Sequence, residues 1–162
     1  MITDKEFTLR LIRQLTQALE KLILDKPEES LMQKELDFDT LMRDIFKMSF
    51  TEISSKTKEE MIAIVNERQE RDHKDYYEML GNLFYFNSRH DHNKDFQDKA
   101  KTFYELYLQT SGIFALPIIN RINELKKALE YSAFVFLECN FISSGGRSTG
   151  FLCFYIFLYP GY

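Results

Sequence analysis

The distribution of charge divides this sequence at residue 131. As far as Tyr131, charged residues recur on nearly every helical turn, whereas residues 132–162 contain only Glu138 and Arg147. Apolar residues in the first part recur every three or four positions, which is the period of an amphipathic α-helix. The sequence therefore predicts an all-α domain at 1–131 and a hydrophobic, aromatic tail at 132–162.

Composition and charge favour a globular protein without affinity for nucleic acid. The chain is 44% hydrophobic and 28% charged, and its net charge of −4 provides no basic surface for phosphate backbones. The first residues lack the apolar run of a secretory signal, and Cys139 and Cys153 are the only cysteines. We therefore expect a cytoplasmic protein without a disulfide or zinc framework in its helical part.

Two capping boxes predict helix starts in the first part of the chain. Thr3 with Glu6 begins a helix that has Glu20 on its polar face and that Pro27 ends near residues 24–26. Thr57 with Glu60 begins another helix, which we expect to end around residues 70–73. Between them the sequence predicts an irregular helical stretch at 31–36, a helix starting near residues 37–39 and a polar connector at 51–56.

A helical hairpin is the most specific local prediction. Tyr77, Leu80 and Phe84 share one helix face, and Gly81 would let a neighbouring helix approach closely. A partner helix carries the matching apolar stripe Ala100, Phe103, Tyr104, Tyr107 and Leu108. The polar residues 87–96 between the two helices predict a connecting loop, and a further helix at 113–131, with Pro117 in its first turn, would close the bundle.

The hairpin residues carry two resemblances. Tyr77-x-x-Leu80-Gly81-x-x-Phe84 followed by Ala100-x-x-x-Tyr104 resembles one degenerate copy of the tetratricopeptide repeat. Residues 1–131 as a whole resemble a family of small helical bacterial proteins classified as domain of unknown function 6483, through the Leu-Ile-Arg-Gln-Leu run and the later hairpin. The resemblances imply tetratricopeptide-like packing and no catalytic residues.

The predicted function is that of a protein-interaction or scaffold module without catalytic activity. The aromatic faces of the hairpin predict a contact surface for a protein or peptide partner, or for a second copy in a homodimer, at Tyr77, Phe84, Tyr104 and Tyr107. No cofactor is expected.

An alternative function is a small metal-dependent enzyme or metal-binding protein. His90 and His92 lie one residue apart in the predicted loop, and imidazole is a good ligand for zinc, nickel or iron. A metal site needs three or four fixed ligands, so a solvated polar loop is the competing interpretation.

Three interpretations of the tail stay open. Residues 151–159 are apolar but shorter than the roughly 20 residues of a membrane-spanning helix. A β-hairpin turning at Gly145-Gly146 would place Cys139 opposite Cys153. The third interpretation is a non-native terminus, because the tail lacks both charge and a regular period.

Overall fold

The fold is built from α-helices only within the residues that the structure describes. This computed structural model describes residues 3–24 and 37–143, except the side chains of residue 91 and residues 132–143. Over those residues there are no strands, which confirms the all-α prediction, and the helices are α1 (Asp4–Leu24), α2 (Phe38–Phe46), α3 (Phe50–Ser55), α4 (Lys58–Asn66), α5 (His73–Asp91), α6 (Lys94–Ser111) and α7 (Leu116–Ser143).

Both predicted capping boxes are present. In α1 the Thr3 amide donates to the Glu6 carboxylate at 3.2 Å, and the Glu6 amide donates to Thr3 Oγ1 at 3.3 Å. Thr57 and Glu60 make the same reciprocal pair at the start of α4. The predicted end of this helix is wrong, because α4 stops at Asn66 and a 3₁₀ turn at Glu70–Asp72 leads into α5.

The predicted connector at 51–56 is instead the short helix α3. Ser49 and Glu52 form a third capping box, which satisfies backbone donors that would otherwise lack partners at this helix end. The start predicted near residues 37–39 is confirmed, since Asp37 is the N-cap of α2 and accepts a hydrogen bond from the Thr40 amide. The helical stretch predicted at 31–36 lies outside the described residues.

Helices α5 and α6 form the predicted antiparallel hairpin. Tyr77, near the start of α5, stacks with Phe103 in the second half of α6 at a ring-centroid distance of 6.2 Å. Phe84, in the second half of α5, contacts Phe96 near the start of α6 at a ring-centroid distance of 5.4 Å. The two helices therefore run in opposite directions. The predicted close approach at Gly81 is also present: a Cβ atom added there would lie 2.6 Å from Cδ1 of Tyr104. A larger residue at position 81 would therefore push the two helices apart.

The long loop predicted at 87–96 is wrong. Helix α5 continues to Asp91 and α6 begins at Lys94, so only two residues connect them. His92 takes a left-handed conformation with φ of 47°, and Asn93 Oδ1 accepts hydrogen bonds from the amides of Asp95 and Phe96. These two residues terminate one helix and start the next, so the polar composition reflects helix ends and not a loop.

Helix α1 runs parallel to α5 along the hairpin. Near the start of both helices Arg13 donates to Asp75 at 3.1 Å, and near their ends Arg89 donates to the Ile23 carbonyl at 3.0 Å. The apolar core between the helices includes residues from every one of α1 to α7: Ile12, Leu19, Met42, Ile53, Val65, Leu83, Phe103 and Ile122 are among its buried members.

Helix α7 extends beyond its predicted span. It begins at Leu116 with Pro117 in its first turn, as expected, and its backbone stays helical to Ser143 instead of ending at Tyr131. The backbone at position 139 is thus helical, whereas the β-hairpin alternative paired Cys139 across two strands with Cys153. The chain divides into the units Met1–Leu129 and Glu130–Tyr162, and the buried core residues and ion pairs of the described helices lie within the first. The predicted domain boundary stays a prediction.

Candidate functional site

The four aromatic residues predicted to bind a partner lie in the core. Tyr77, Phe84, Tyr104 and Tyr107 are all buried, and Phe84 and Tyr104 have no exposed surface. They pack against each other's helices because the hairpin brings their two faces together. Their side chains are enclosed in this fold, and the partner-binding role predicted for these four residues stays a prediction.

A buried polar network crosses this core. Arg121 of α7 reaches Glu20 of α1 with two hydrogen bonds, Nη1 to Oε2 at 2.8 Å and Nη2 to Oε1 at 2.6 Å. The same Nη1 lies 3.3 Å from Oδ1 of Asn82 in α5, and that oxygen accepts the hydroxyl proton of Tyr104 in α6 at 2.7 Å. The network therefore joins four helices through one guanidinium.

The ionic state of this network follows from its contacts. Burial alone would lower the pKa of the Arg121 guanidinium, but its hydrogen bond to Glu20 and the nearby Tyr104 hydroxyl raise the pKa instead. Burial raises the pKa of the Tyr104 hydroxyl. The Arg121 side chain is 6% exposed and that of Glu20 is 36% exposed, so the pair meets solvent on the carboxylate side.

Tyr85 extends the network toward the surface of α7. Its hydroxyl donates to the Glu124 carboxylate at 2.8 Å, and the guanidinium of Arg121 lies 5.6 Å from the centre of its ring. Burial, with the hydrogen bond to Glu124 second, raises the pKa of Tyr85 to about 12. The contacts of Tyr85 and Arg121 hold α7 against α5.

A second buried cation lies at the other face of the hairpin. Lys99 of α6 donates to the Ser54 carbonyl at 2.6 Å and pairs with Asp95. Its ammonium lies 5.6 Å from the Phe84 ring centre and 5.9 Å from that of Phe96. The amine is held between a carbonyl, a carboxylate and two aromatic faces, an arrangement that fastens α3 to the hairpin.

The two histidines predicted as metal ligands lie at the turn of the hairpin. His90 is in the last turn of α5 with its ring 5.0 Å from that of Phe86, and His92 is the exposed residue that ends the helix. Among the described residues no group of three or more histidine, cysteine, aspartate or glutamate side chains is placed to hold a metal ion. The metal site at His90 and His92 stays a prediction.

A cleft of about 600 Å³ lies beside the start of α1. Lys5, Phe7, Asp44, Arg68 and Asp72 are among its lining residues. Lys5 Nζ and Asp72 Oδ2 form an ion pair at 3.1 Å, although neither atom has a hydrogen bond of good geometry. Charges of both signs line the cleft, so it favours no particular class of ligand.

Among the residues that the structure describes, three large exposed apolar side chains follow one another where α6 ends and α7 begins. Ile113, Phe114 and Leu116, here named the apolar connection, are 54%, 81% and 56% exposed. No charged residue occurs between Glu105 and Arg121, which is the longest uncharged run within residues 1–131. Large apolar side chains that are exposed and close together in sequence make this segment a candidate protein contact site.

Sequence reasoning assigned the apolar connection to the start of the closing helix and missed its exposure. The absence of charge from 106 to 120 was the available signal.

Comparisons with protein-family models, with characterised proteins and with solved structures found no match. No described helix is long and apolar enough to cross a membrane.

Proposed function

We propose that residues 1–131 act as a protein-interaction module that contacts its partner through the apolar connection. The exposure of Ile113, Phe114 and Leu116 carries the proposal. Moving one such side chain from water into an apolar contact stabilises a protein by about 1.5–3 kcal/mol. Three exposed side chains can therefore add to the binding free energy when a partner covers them.

The size of the apolar connection indicates how a partner would contact it. A standard protein interface buries roughly 800 Å² on each side, more than three side chains can provide. Such a small group contributes most when a pocket of the partner encloses it, as in the central hot spots of larger interfaces. Phe114, the most exposed of the three, is the residue expected to enter that pocket.

The rest of the fold supports the same proposal. The packing of α5 on α6 through Gly81 and Tyr104, together with the tetratricopeptide-like sequence pattern, fits a helical scaffold, and repeats of that class present binding surfaces to proteins. The resemblance to the bacterial family of unknown function adds no activity to this proposal. The helices would hold the apolar connection in place and the connection would make the contact.

Serine substitution of the apolar connection tests the proposal. The variant Ile113→Ser, Phe114→Ser, Leu116→Ser removes the exposed apolar groups without touching the core, so its helical content and urea midpoint should stay close to those of the unchanged chain. Phe7→Ser is the matched control, since Phe7 is 51% exposed on α1.

The measurement is quantitative mass spectrometry of proteins retained by each tagged chain from a native lysate. We expect a defined partner, or the chain itself, to be retained by the unchanged protein and the Phe7→Ser control. Retention should fall at least about tenfold for the triple-serine variant, because even one lost apolar anchor costs about 1.5 kcal/mol. Equal retention by all three proteins would contradict the proposal.

A further inference from the structure

We propose that Glu78 makes the packing of α1 and α7 on the hairpin sensitive to pH. The negative charge of its carboxylate weakens this packing at neutral pH, and protonation of the carboxylate strengthens it. The apolar connection takes no part in this device, so the device and the proposed function stand or fall separately.

One face of α5 carries polar side chains toward α1 and α7. Helix positions three and four residues apart share a face, and this spacing aligns five residues of α5, here named the polar seam: Asp75, Glu78, Asn82, Tyr85 and Arg89. Among the described residues, every member except Glu78 has a hydrogen-bond partner on α1 or α7. The polar seam therefore faces these two helices, and Glu78 lies within it.

Glu78 lies between two of the contacts that join α5 to α1. Arg13 and Glu20 are seven residues apart on α1, as their partners Asp75 and Asn82 are on α5, so the two contacts are about two helical turns apart. Glu78 is half-buried between them, and no hydrogen bond or ion pair joins its carboxylate to another residue that the structure describes. A carboxylate in this position loses part of its hydration and gains no partner in return.

The surroundings of Glu78 disfavour its negative charge. Charged or titratable groups of four helices act on it: Asp75 and Lys74 of α5, Glu20 of α1, Tyr107 of α6 and Arg121 of α7. Burial, followed by the like charges of Asp75 and Glu20, raises the pKa of Glu78 above its ordinary value of 4.5. Arg121 acts in the opposite direction but is already engaged by Glu20 through two hydrogen bonds.

The direction of the pH effect follows from this raised pKa. Folding moves the carboxyl group from water into the polar seam, so the folded state holds its proton more tightly than the unfolded state does. The resulting stabilisation is complete below pH 4.5 and is lost as the pH rises through the folded pKa of Glu78. The effect falls on α1 and α7, because Glu20 and Arg121 join these two helices beside Glu78.

Glu78→Gln tests the proposal, because it removes the charge and retains the size of the side chain. Urea titration of the full chain at pH 7 should give a higher midpoint for this variant than for the unchanged chain. The difference should shrink as the pH is lowered from 7 to 4, because the carboxyl group of the unchanged chain then becomes protonated as well.

Glu59→Gln is the matched control for this titration. Glu59 is exposed in the first turn of α4, so neutralising it should not raise the urea midpoint at pH 7. A midpoint for Glu78→Gln at or below that of the unchanged chain at pH 7 would overturn the proposal, as would an advantage that stays constant down to pH 4.

Carbon-13 NMR of the Glu78 carboxyl group gives a second measurement, made on the unchanged chain. Its resonance should titrate with a midpoint above 4.5, and Asp75→Asn should lower that midpoint because it removes a like charge beside Glu78. A midpoint at or below 4.5 in the unchanged chain, or one that Asp75→Asn leaves in place, would show that the polar seam does not act on Glu78 and would overturn the proposal.

Discussion

Arg121 on α7 holds Glu20 on α1 with both of its terminal nitrogens, at 2.8 Å and 2.6 Å, although the two residues are far apart in sequence. The pair lies beside the close approach of α5 and α6 at Gly81, because Arg121 also contacts Asn82 and Tyr104. It is the polar contact that fixes α7 on the hairpin and on α1 at once. The position of the apolar connection depends on this contact, since Leu116 lies less than two turns before Arg121.

Removing Glu20 should therefore destabilise the fold strongly. Glu20→Ala leaves the guanidinium of Arg121, whose side chain is 6% exposed, without its anion. Because the Glu20 side chain is 36% exposed, we expect the cost of an unpaired buried donor, about 1–3 kcal/mol, and not the larger cost of breaking a fully buried pair. The free energy of unfolding from urea titration measures this cost. Lys126→Ala is the matched control, because it removes the more exposed pair with Glu105 and should cost about 0.5 kcal/mol. Equal effects of the two substitutions would contradict the role given to Arg121.

Gly81→Ala should destabilise the protein through the hairpin. The added methyl group would lie 2.6 Å from Cδ1 and 2.8 Å from Cε1 of Tyr104, a buried ring with its hydroxyl fixed by Asn82. Overpacking of this kind costs about 1–3 kcal/mol. Gly112→Ala is the comparison: it meets no atom within 4 Å and costs about 1 kcal/mol through its positive φ alone. A urea midpoint for Gly81→Ala at or above that of the unchanged protein would show that α5 and α6 are not so close.

Alkaline pH should weaken the fold through Tyr85. Burial and the hydrogen bond to Glu124 raise its pKa from 10 to about 12, so the folded state resists ionisation that the unfolded state allows. This contribution to stability is complete below pH 10 and is lost as the pH rises from 10 to 12.

The measurement is the free energy of unfolding across that pH range for the unchanged chain and for Tyr85→Phe. The unchanged chain should lose stability more steeply, because Tyr85→Phe has no hydroxyl to ionise at this position. Tyr131→Phe, at a residue that is 72% exposed, controls for the loss of a tyrosine elsewhere. Parallel curves for the unchanged chain and Tyr85→Phe would contradict the burial of that hydroxyl.

The features that sequence reasoning predicted correctly are local. Thr3 with Glu6 and Thr57 with Glu60 satisfy backbone donors three residues away, so the pattern and the structure coincide. Ser49 and Glu52 form a capping box of the same kind, but the polar sequence of α3 led to the prediction of a connector there. Gly81 was recognisable because a glycine between apolar residues of one helix face indicates close packing.

The buried network and the apolar connection could not be predicted from local patterns. The sequence pattern places Glu20 on the polar face of α1. Its contact with Arg121 forms only when the helices pack together. Phe114 is a large apolar residue of the kind usually found in a core. It is exposed because it lies between the end of α6 and the start of α7. Tyr77 and Phe84 show the converse, since aromatic side chains that suggest a contact surface are enclosed once the hairpin closes.

Photo-cross-linking from position 114 tests the central claim most directly. A photoreactive phenylalanine analogue replaces Phe114 in one protein and Phe7, the exposed phenylalanine of α1, in the other. After irradiation in cells, we expect the protein labelled at 114 to form a discrete covalent product with a partner, at twice the mass of the chain if the partner is a second copy, and the protein labelled at 7 to form none. No product from 114, or the same products from both positions, would contradict a contact surface at the apolar connection.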